Sequence, residues 1–167
     1  MYFERLTEAM TMLAEDAATL FVGQAIKYPG QRAFPSFAGV PMEKRIELPV
    51  AENFQMGYST GLALAGYIPV SFYPRIDFLI IAADQLVNHL DKHPARPKVI
   101  IRTAVGGKKP LNPGPQHTQN HTRALRCMLQ NTRIMELHNA NYVLDCYAEA
   151  LEVPGPVIVV EYMELYG

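Results

Sequence analysis

Six short runs rich in Val, Ile, Leu and aromatic residues recur along the chain: TLFVG (19–23), RIEL (45–48), YIPVSFY (67–73), KVIIRT (98–103), TRIMEL (132–137) and PVIVVEY (156–162). Between most of them the apolar period lengthens to that of a helix. Phe3, Leu6, Met10 and Leu13 are three or four apart within residues 2–16, and helices are likewise expected over 52–66, 76–90, 122–130 and 139–151. Strands this apolar need cover on both faces. The alternation therefore predicts a three-layer α/β/α architecture with a mainly parallel sheet. A chain of 167 residues can bury one substantial core. With no repeat, low-complexity tract or linker to divide it, residues 1–167 read as a single domain.

Two connections stand apart. Residues 24–44 hold Pro29, Pro35, Pro41, Gly30 and Gly39, a loop composition with room for a short helical turn. Residues 104–121 hold Gly106, Gly107, Pro110, Pro113, Gly114 and Pro115, and irregular segments of that length inside a compact domain are usually functional or disordered. Ligands of parallel sheets sit beyond the carboxyl ends of the strands. Glu52 and the 104–121 loop both follow such ends, which points to one shared site.

Charge excludes several partners. Fifteen basic side chains stand against sixteen acidic ones, with a pI of about 6.5, so no basic footprint for nucleic acid or an anionic membrane exists. Cys127 and Cys146 lie 19 apart without a CxxC neighbour, which points to reduced structural thiols rather than a zinc site or disulfide framework. The spacing of His89, His93 and His138 supports no metal site. The amino-terminal stretch MYFERLTEAM lacks a basic segment followed by an apolar core, and no apolar run approaches bilayer length. A cytoplasmic protein without membrane contact is the expectation.

Glycines 57, 61 and 66 sit in the helix that begins at Glu52, and each costs a helix about 1 kcal/mol relative to alanine. With Ser59, Ala63 and Ala65 they leave a face of little bulk. Tight packing inside the domain and a subunit interface beside a ligand both account for such a face.

The run PVAENFQMGYSTGLALAGYIP resembles the pyrimidine-binding domain of thiamine diphosphate-dependent enzymes, as found in 2-oxo acid dehydrogenase beta subunits and transketolases. Pro49, Glu52, Gly57, Gly61, Gly66 and Pro69 meet every position of that pattern. The similarity continues through Phe72, Tyr73, Phe78 and Asp84-Gln85, then Arg102, Gly106-Gly107, Gln116-His117-Thr118-Gln119 and the closing VIVVEYMELYG. It implies a thiamine diphosphate-binding fold in which Glu52 hydrogen-bonds the cofactor's aminopyrimidine and promotes activation of the thiazolium carbon. That task needs a carboxyl group withdrawn from water that can share a proton near neutral pH. His117 is then a catalytic residue beside the substrate, with His121 four residues on as a second substrate contact. Phe72, Tyr73 or Phe78 would lie against the pyrimidine. Pro74-Arg75 departs from the small or apolar residues of the pattern, and Arg75 is a candidate contact for an anionic substrate.

No Gly-Asp-Gly occurs in the sequence, although such a motif with a later asparagine holds the diphosphate and Mg2+ in this family. The carboxyl-terminal domain of those enzymes is not expected in this chain either. The resemblance therefore implies a pyrimidine-binding subunit, inactive alone, of a split transketolase-like or 2-oxo acid-processing enzyme, with decarboxylation and carboligation both open. Its partner would carry the Gly-Asp-Gly motif and the Mg2+, in a heterotetramer or larger assembly built on a pair of pyrimidine domains. The alternatives are a catalytically inactive regulatory or assembly subunit and an unrelated doubly wound sheet that binds a small ligand.

Overall fold

The computed structural model describes residues 1–108 and 112–166. Part of the expected 104–121 loop (residues 109–111) and the last residue of the closing motif, Gly167, lie outside them. Six strands form one sheet: β1 (Thr19–Gly23), β2 (Arg45–Glu47), β3 (Ile68–Tyr73), β4 (Ile100–Val105), β5 (Arg133–Glu136) and β6 (Val157–Tyr162). Their order is β2-β1-β3-β4-β6-β5, and every pairing is parallel. Helices α1 (Tyr2–Glu15), α2 (Glu52–Leu64), α3 (Ile76–Leu79), α4 (Thr122–Met128) and α5 (Val143–Glu152) connect the strands.

Both faces of the sheet are covered, because side chains alternate along each strand and both sets are apolar. Phe21, Val70, Phe72, Ile100, Val157 and Val159 face α1 and α5 in one core. Tyr73, Ile101, Ile158 and Val160 belong to a second core with Met56 of α2, Ile76 and Leu79 of α3 and Leu125 of α4. Three layers result, as the alternation of the sequence predicts.

The helix expected over 76–90 is not regular. It runs as α3, a 3-10 turn at Ile80–Ala82 and a π-helical stretch at Gln85–Asp91. The wider turn sets residues five apart on one side. Leu86 thereby enters the second core while Asp91, 1% exposed, accepts the backbone N–H groups of Gln130, Asn131 and Thr132 at 3.0, 2.9 and 2.7 Å. The same bonds end α4 at Met128, short of the expected residue 130. The strand expected over 98–103 is displaced to Ile100–Val105, because Lys98 turns away to donate to the carbonyls of Ala150 and Val153 at the end of α5.

Chain order reverses between β1 and β3. From β1 the chain leaves toward the β2 edge, then returns across to β3. A crevice beyond the carboxyl ends of β1 and β3 follows from that reversal.

Candidate functional site

Glu52 opens α2 a short loop after β2, on the side of the sheet where all six strands end. It is 6% exposed, and the helix terminus it occupies favours negative charge. Two buried polar side chains of α2 set its depth. Gln55 donates to Ser71 Oγ at 3.1 Å and to the Phe72 carbonyl at 2.9 Å, and Ser59 Oγ donates to Ser71 Oγ at 3.0 Å. The Tyr73 hydroxyl reaches the Glu52 carbonyl at 3.4 Å.

The reversal between β1 and β3 opens into a cavity of about 270 Å³. Gln24, Ala25 and Arg32 form one wall, and Arg75, Phe78 and His117 form the other. Glu52 is not among the lining residues. The turn from β3 to α3 joins the two parts: its Tyr73 end touches Glu52, and its Arg75 and Phe78 end lines the cavity.

The three aromatic candidates separate. Phe72 is 1% exposed, edge-on to Phe37 at 5.4 Å, with the Arg102 guanidinium 5.2 Å above its ring. Tyr73 is fully buried in the opposite core, where burial pushes its hydroxyl above the usual range. Neither ring presents a free face, because alternate residues of β3 enter the two cores. Phe78 alone lines the cavity, half-buried, with the His117 ring edge-on at 5.3 Å.

His117 closes the 3-10 turn Pro115–His117, and its Nδ1 is buried without a hydrogen-bond partner among the described residues. Arg75 is half-buried, with Nη1 donating to the Pro74 carbonyl at 2.9 Å and Nε unpartnered. Burial pushes its guanidinium down from the ordinary value; Tyr166 and Asp77 oppose this, and the neighbouring Arg32 adds to it. His121 does not line the cavity: its Nε2 lies 3.6 Å from Asp77 Oδ1, which makes it a tether of the loop in this chain. Among the described residues no three His, Cys, Asp or Glu side chains could together hold a metal ion. Cys146 is a buried free thiol that burial pushes up to about 12, and Cys127 is free and exposed.

The wall around Ala25 has no counterpart in the sequence reading. Ala25 adopts a φ of +52°, unfavourable for a residue with a side chain. The Glu47 carboxylate holds it there, accepting the N–H groups of Ala25, Ile26 and Lys27 at 2.5, 2.9 and 2.7 Å. Arg45, on the same side of β2, donates to the carbonyls of Ile26, Phe37 and Val40. The only trace in the sequence is the i, i+2 spacing of two charges in RIEL.

Gly106 has a steric role. A β-carbon there would overlap the His117 carbonyl oxygen and lie 3.2 Å from Arg75 Nε. Gly106→Ala is expected to push the 112–121 segment off the end of β4, at a cost of about 1–3 kcal/mol. Urea denaturation together with the ring resonances of Phe78 and His117 checks this. Unchanged stability and unchanged resonances would contradict the packing.

Glycines 57, 61 and 66 sit in three different surroundings. Gly57 admits Gln85, whose Oε1 would lie 3.2 Å from an added β-carbon. Gly66 takes a φ of +93° just past the helix end. At Gly61 an added β-carbon would meet nothing within 4 Å. Phe54, Tyr58 and Leu64, 56, 37 and 51% exposed, flank it on the open side of the helix.

No family model matches the chain. The 3-methyl-2-oxobutanoate dehydrogenase subunit beta of Mycobacterium tuberculosis, from strains CDC 1551 / Oshkosh and ATCC 25618 / H37Rv, is 26% identical over 127 residues. The match takes in 74% of this chain and 36% of that protein. Among solved structures, a split gene transketolase described as an inactive beta4 tetramer superposes with a TM-score of 0.77 at 22% identity, over 95% of this chain and 50% of that one. Transketolase from Leishmania mexicana gives a TM-score of 0.76 at 16% identity, over 95% of this chain and 24% of that one. Transketolase from Campylobacter jejuni gives 0.71 at 16%, over 95% and 25%. The chain thus spans about a third of the length of the curated relatives and a quarter to a half of these solved chains. Sequence homology to a dehydrogenase beta subunit and the structural matches to transketolases together support a pyrimidine-binding domain of the thiamine diphosphate-dependent enzyme family.

Proposed function

We propose that this chain supplies the pyrimidine-binding half of a thiamine diphosphate site completed by a partner subunit, in a transketolase-like or 2-oxo acid-processing enzyme. The observation that carries this reading is Glu52: a carboxylate 6% exposed at the first residue of α2, within the complete pattern from Pro49 to Pro69. Burial suits a carboxyl group that must share a proton rather than remain solvated. The residues present fit the pyrimidine half of the cofactor, with Phe78 as the available aromatic flank and His117 Nδ1 as an unsatisfied buried atom. The diphosphate half is assigned to the partner in this proposal, because the sequence holds no Gly-Asp-Gly.

When bound, thiamine diphosphate supplies the nucleophilic carbon that attacks a substrate carbonyl. Glu52 would hold and exchange a proton with the pyrimidine ring, Phe78 would fix the plane of that ring, and His117 would move a proton at the substrate. Arg75, in the same cavity, would attract an anionic group of the substrate; His121 would act through the loop rather than by direct contact. The diphosphate and Mg2+ would belong to the partner. No helix among the described residues is long and apolar enough to cross a membrane, and a cytoplasmic location is part of the proposal.

The open face at Gly61 supports an assembly of two or more chains. Its glycine is not needed by any contact within the described residues. Native mass spectrometry of the tagged protein from its own host, with and without thiamine diphosphate and Mg2+, tests the reading. The expected result is a second chain carrying Gly-Asp-Gly, with the cofactor retained only in the complex. Gly61→Leu should lose that partner while keeping the circular dichroism of the native chain. A chain recovered alone that takes up no cofactor would instead favour a regulatory or assembly role.

A further inference from the structure

Two cations share the cavity between β1 and β3. Arg32 stands on one wall and Arg75 on the other, and no Asp or Glu is among the described residues that line it. The two guanidiniums act on each other: burial disfavours the charged form of Arg75, Arg32 adds to that, and Tyr166 and Asp77 oppose it. A charge withdrawn from water is costly unless an opposite charge faces it. Asp77, two residues from Arg75, does not supply one. Its Oδ1 accepts the Gln119 N–H at 3.3 Å and faces His121 Nε2 at 3.6 Å.

Both arginines are held from behind. Arg75 Nη1 donates to the Pro74 carbonyl at 2.9 Å, while Nε packs near Gly106, buried and without a hydrogen-bond partner among the described residues. Arg32 lies over the Tyr166 ring, with Cζ 5.8 Å from its centroid. The wall around it is braced as well: Gln31 donates to the Ala25 carbonyl at 3.2 Å and accepts the Ala33 N–H at 2.6 Å, and Glu47 fixes the backbone of residues 25–27. Side chains ordered in advance lose little further freedom when a ligand arrives. A guanidinium offers a planar fork of donors that matches two oxygens of a carboxylate or phosphate. Two forks on opposite walls of a cavity of about 270 Å³ match a group with two negative charges, whereas a single carboxylate balances only one of them.

We propose that Arg32 and Arg75 together form a subsite for a dianionic oxygen group, a phosphate monoester or a pair of carboxylates, carried by the substrate in addition to its reacting carbonyl. That the group belongs to a substrate rests on the function proposed above, whereas the anion site itself does not. A purely aliphatic substrate tail would leave both guanidiniums against carbon. The subsite is also a property of this chain, since Arg75 stands where the resembled pattern has a small or apolar residue.

Titration of the full chain with inorganic phosphate, succinate and acetate tests the subsite at fixed ionic strength and about pH 8, where both guanidiniums remain charged. Nitrogen-15 NMR of the arginine Nε–H groups is the readout, and the spectra of Arg32→Lys and Arg75→Lys assign the two signals. Saturable shifts confined to Arg32 and Arg75 are expected, with phosphate or succinate bound at least about tenfold more tightly than acetate. The tighter of the two tells a phosphate from a dicarboxylate. Each lysine variant should weaken that binding by about tenfold or more, because it keeps the charge and loses the fork. Acetate bound as tightly as the dianions would overturn the dianion preference. Shifts that do not saturate, or that spread equally to exposed arginines such as Arg5 and Arg123, would overturn the subsite. If a lysine variant does not fold, the wild-type titration alone decides. In the partner-loaded enzyme both variants should raise KM about tenfold for substrates bearing the preferred group, with kcat nearly unchanged. An equal effect on substrates lacking it would remove the subsite from substrate recognition. The titration needs neither cofactor nor partner, so its failure leaves the proposed function standing.

Discussion

Glu52→Gln, assayed in the complex with the proposed partner, is expected to lose turnover by about 10²–10⁴-fold, the range typical of a removed acid–base group. Glutamine matches the volume of glutamate and keeps an acceptor oxygen but cannot exchange a proton. The anchors of α2 lie elsewhere, in the bonds from Gln55 and Ser59 to β3, so helix and sheet should stay together. Loss of a helix-terminal carboxylate alone costs only about 0.3–1 kcal/mol. The two roles of Glu52 therefore predict different outcomes: a chemical role abolishes turnover with folding and partner binding retained, and a helix-dipole role lowers stability slightly with turnover retained. Steady-state kinetics beside a denaturation curve separates them. Equal rates for the variant and wild type would remove Glu52 from the chemistry.

The second large effect is expected far from the cavity, at Glu161. Its carboxylate and the Arg102 guanidinium are both fully buried, with Nε to Oε1 at 2.7 Å and Nη2 to Oε2 at 3.2 Å. Tyr147 donates to Oε1 at 2.5 Å, Tyr166 donates to Oε2, and Arg102 Nη1 donates to Ser36 Oγ at 2.8 Å. The aromatic rings of Phe37 and Phe72 flank the guanidinium. Every group around Glu161 is a donor. Glu161→Gln would turn an amide N–H₂ toward donors and leave a buried cation without its counter-charge, a loss of about 3–5 kcal/mol. Against a total stability of about 5–15 kcal/mol this decides whether the fold survives. Urea denaturation reads the loss, and a variant within about 1 kcal/mol of wild type would show that the network is dispensable. The double variant Arg102→Met/Glu161→Leu should recover much of it, because both charges leave together. Through Ser36 the network also holds the 24–40 segment, whose first residues wall the cavity.

Much of this architecture is legible in the residue order. Apolar strands alternating with helical spacing demand a sheet covered on both faces, and once the strands are parallel, the loops after them converge on one edge. Glu52 and the loop that carries His117 are expected at that same edge on this ground, before any contact is known. The limits of legibility are equally physical. Period alone cannot show that the stretch from Ile76 is wound partly as a π-helix, because that winding answers to donors more than thirty residues away in the chain, at Gln130, Asn131 and Thr132. Nor can it tell Phe72 and Tyr73, which adjoin a strand end and look like binding residues, from core side chains.

By itself the sequence determined the layers, the parallel sheet and the edge on which the strand-to-helix loops converge, since those follow from local periodicity and from the hydrophobic effect acting on whole segments. Tertiary structure alone decided which aromatic is accessible, how Glu47 holds Ala25 in a left-handed conformation, why Gly57 and Gly61 differ, and where Asp77, Arg75 and His117 leave atoms unpaired. Each of these depends on directional contacts between segments distant in the chain, and hydrogen bonds and close approaches of that kind exist only once the backbone has brought their partners within a few ångströms.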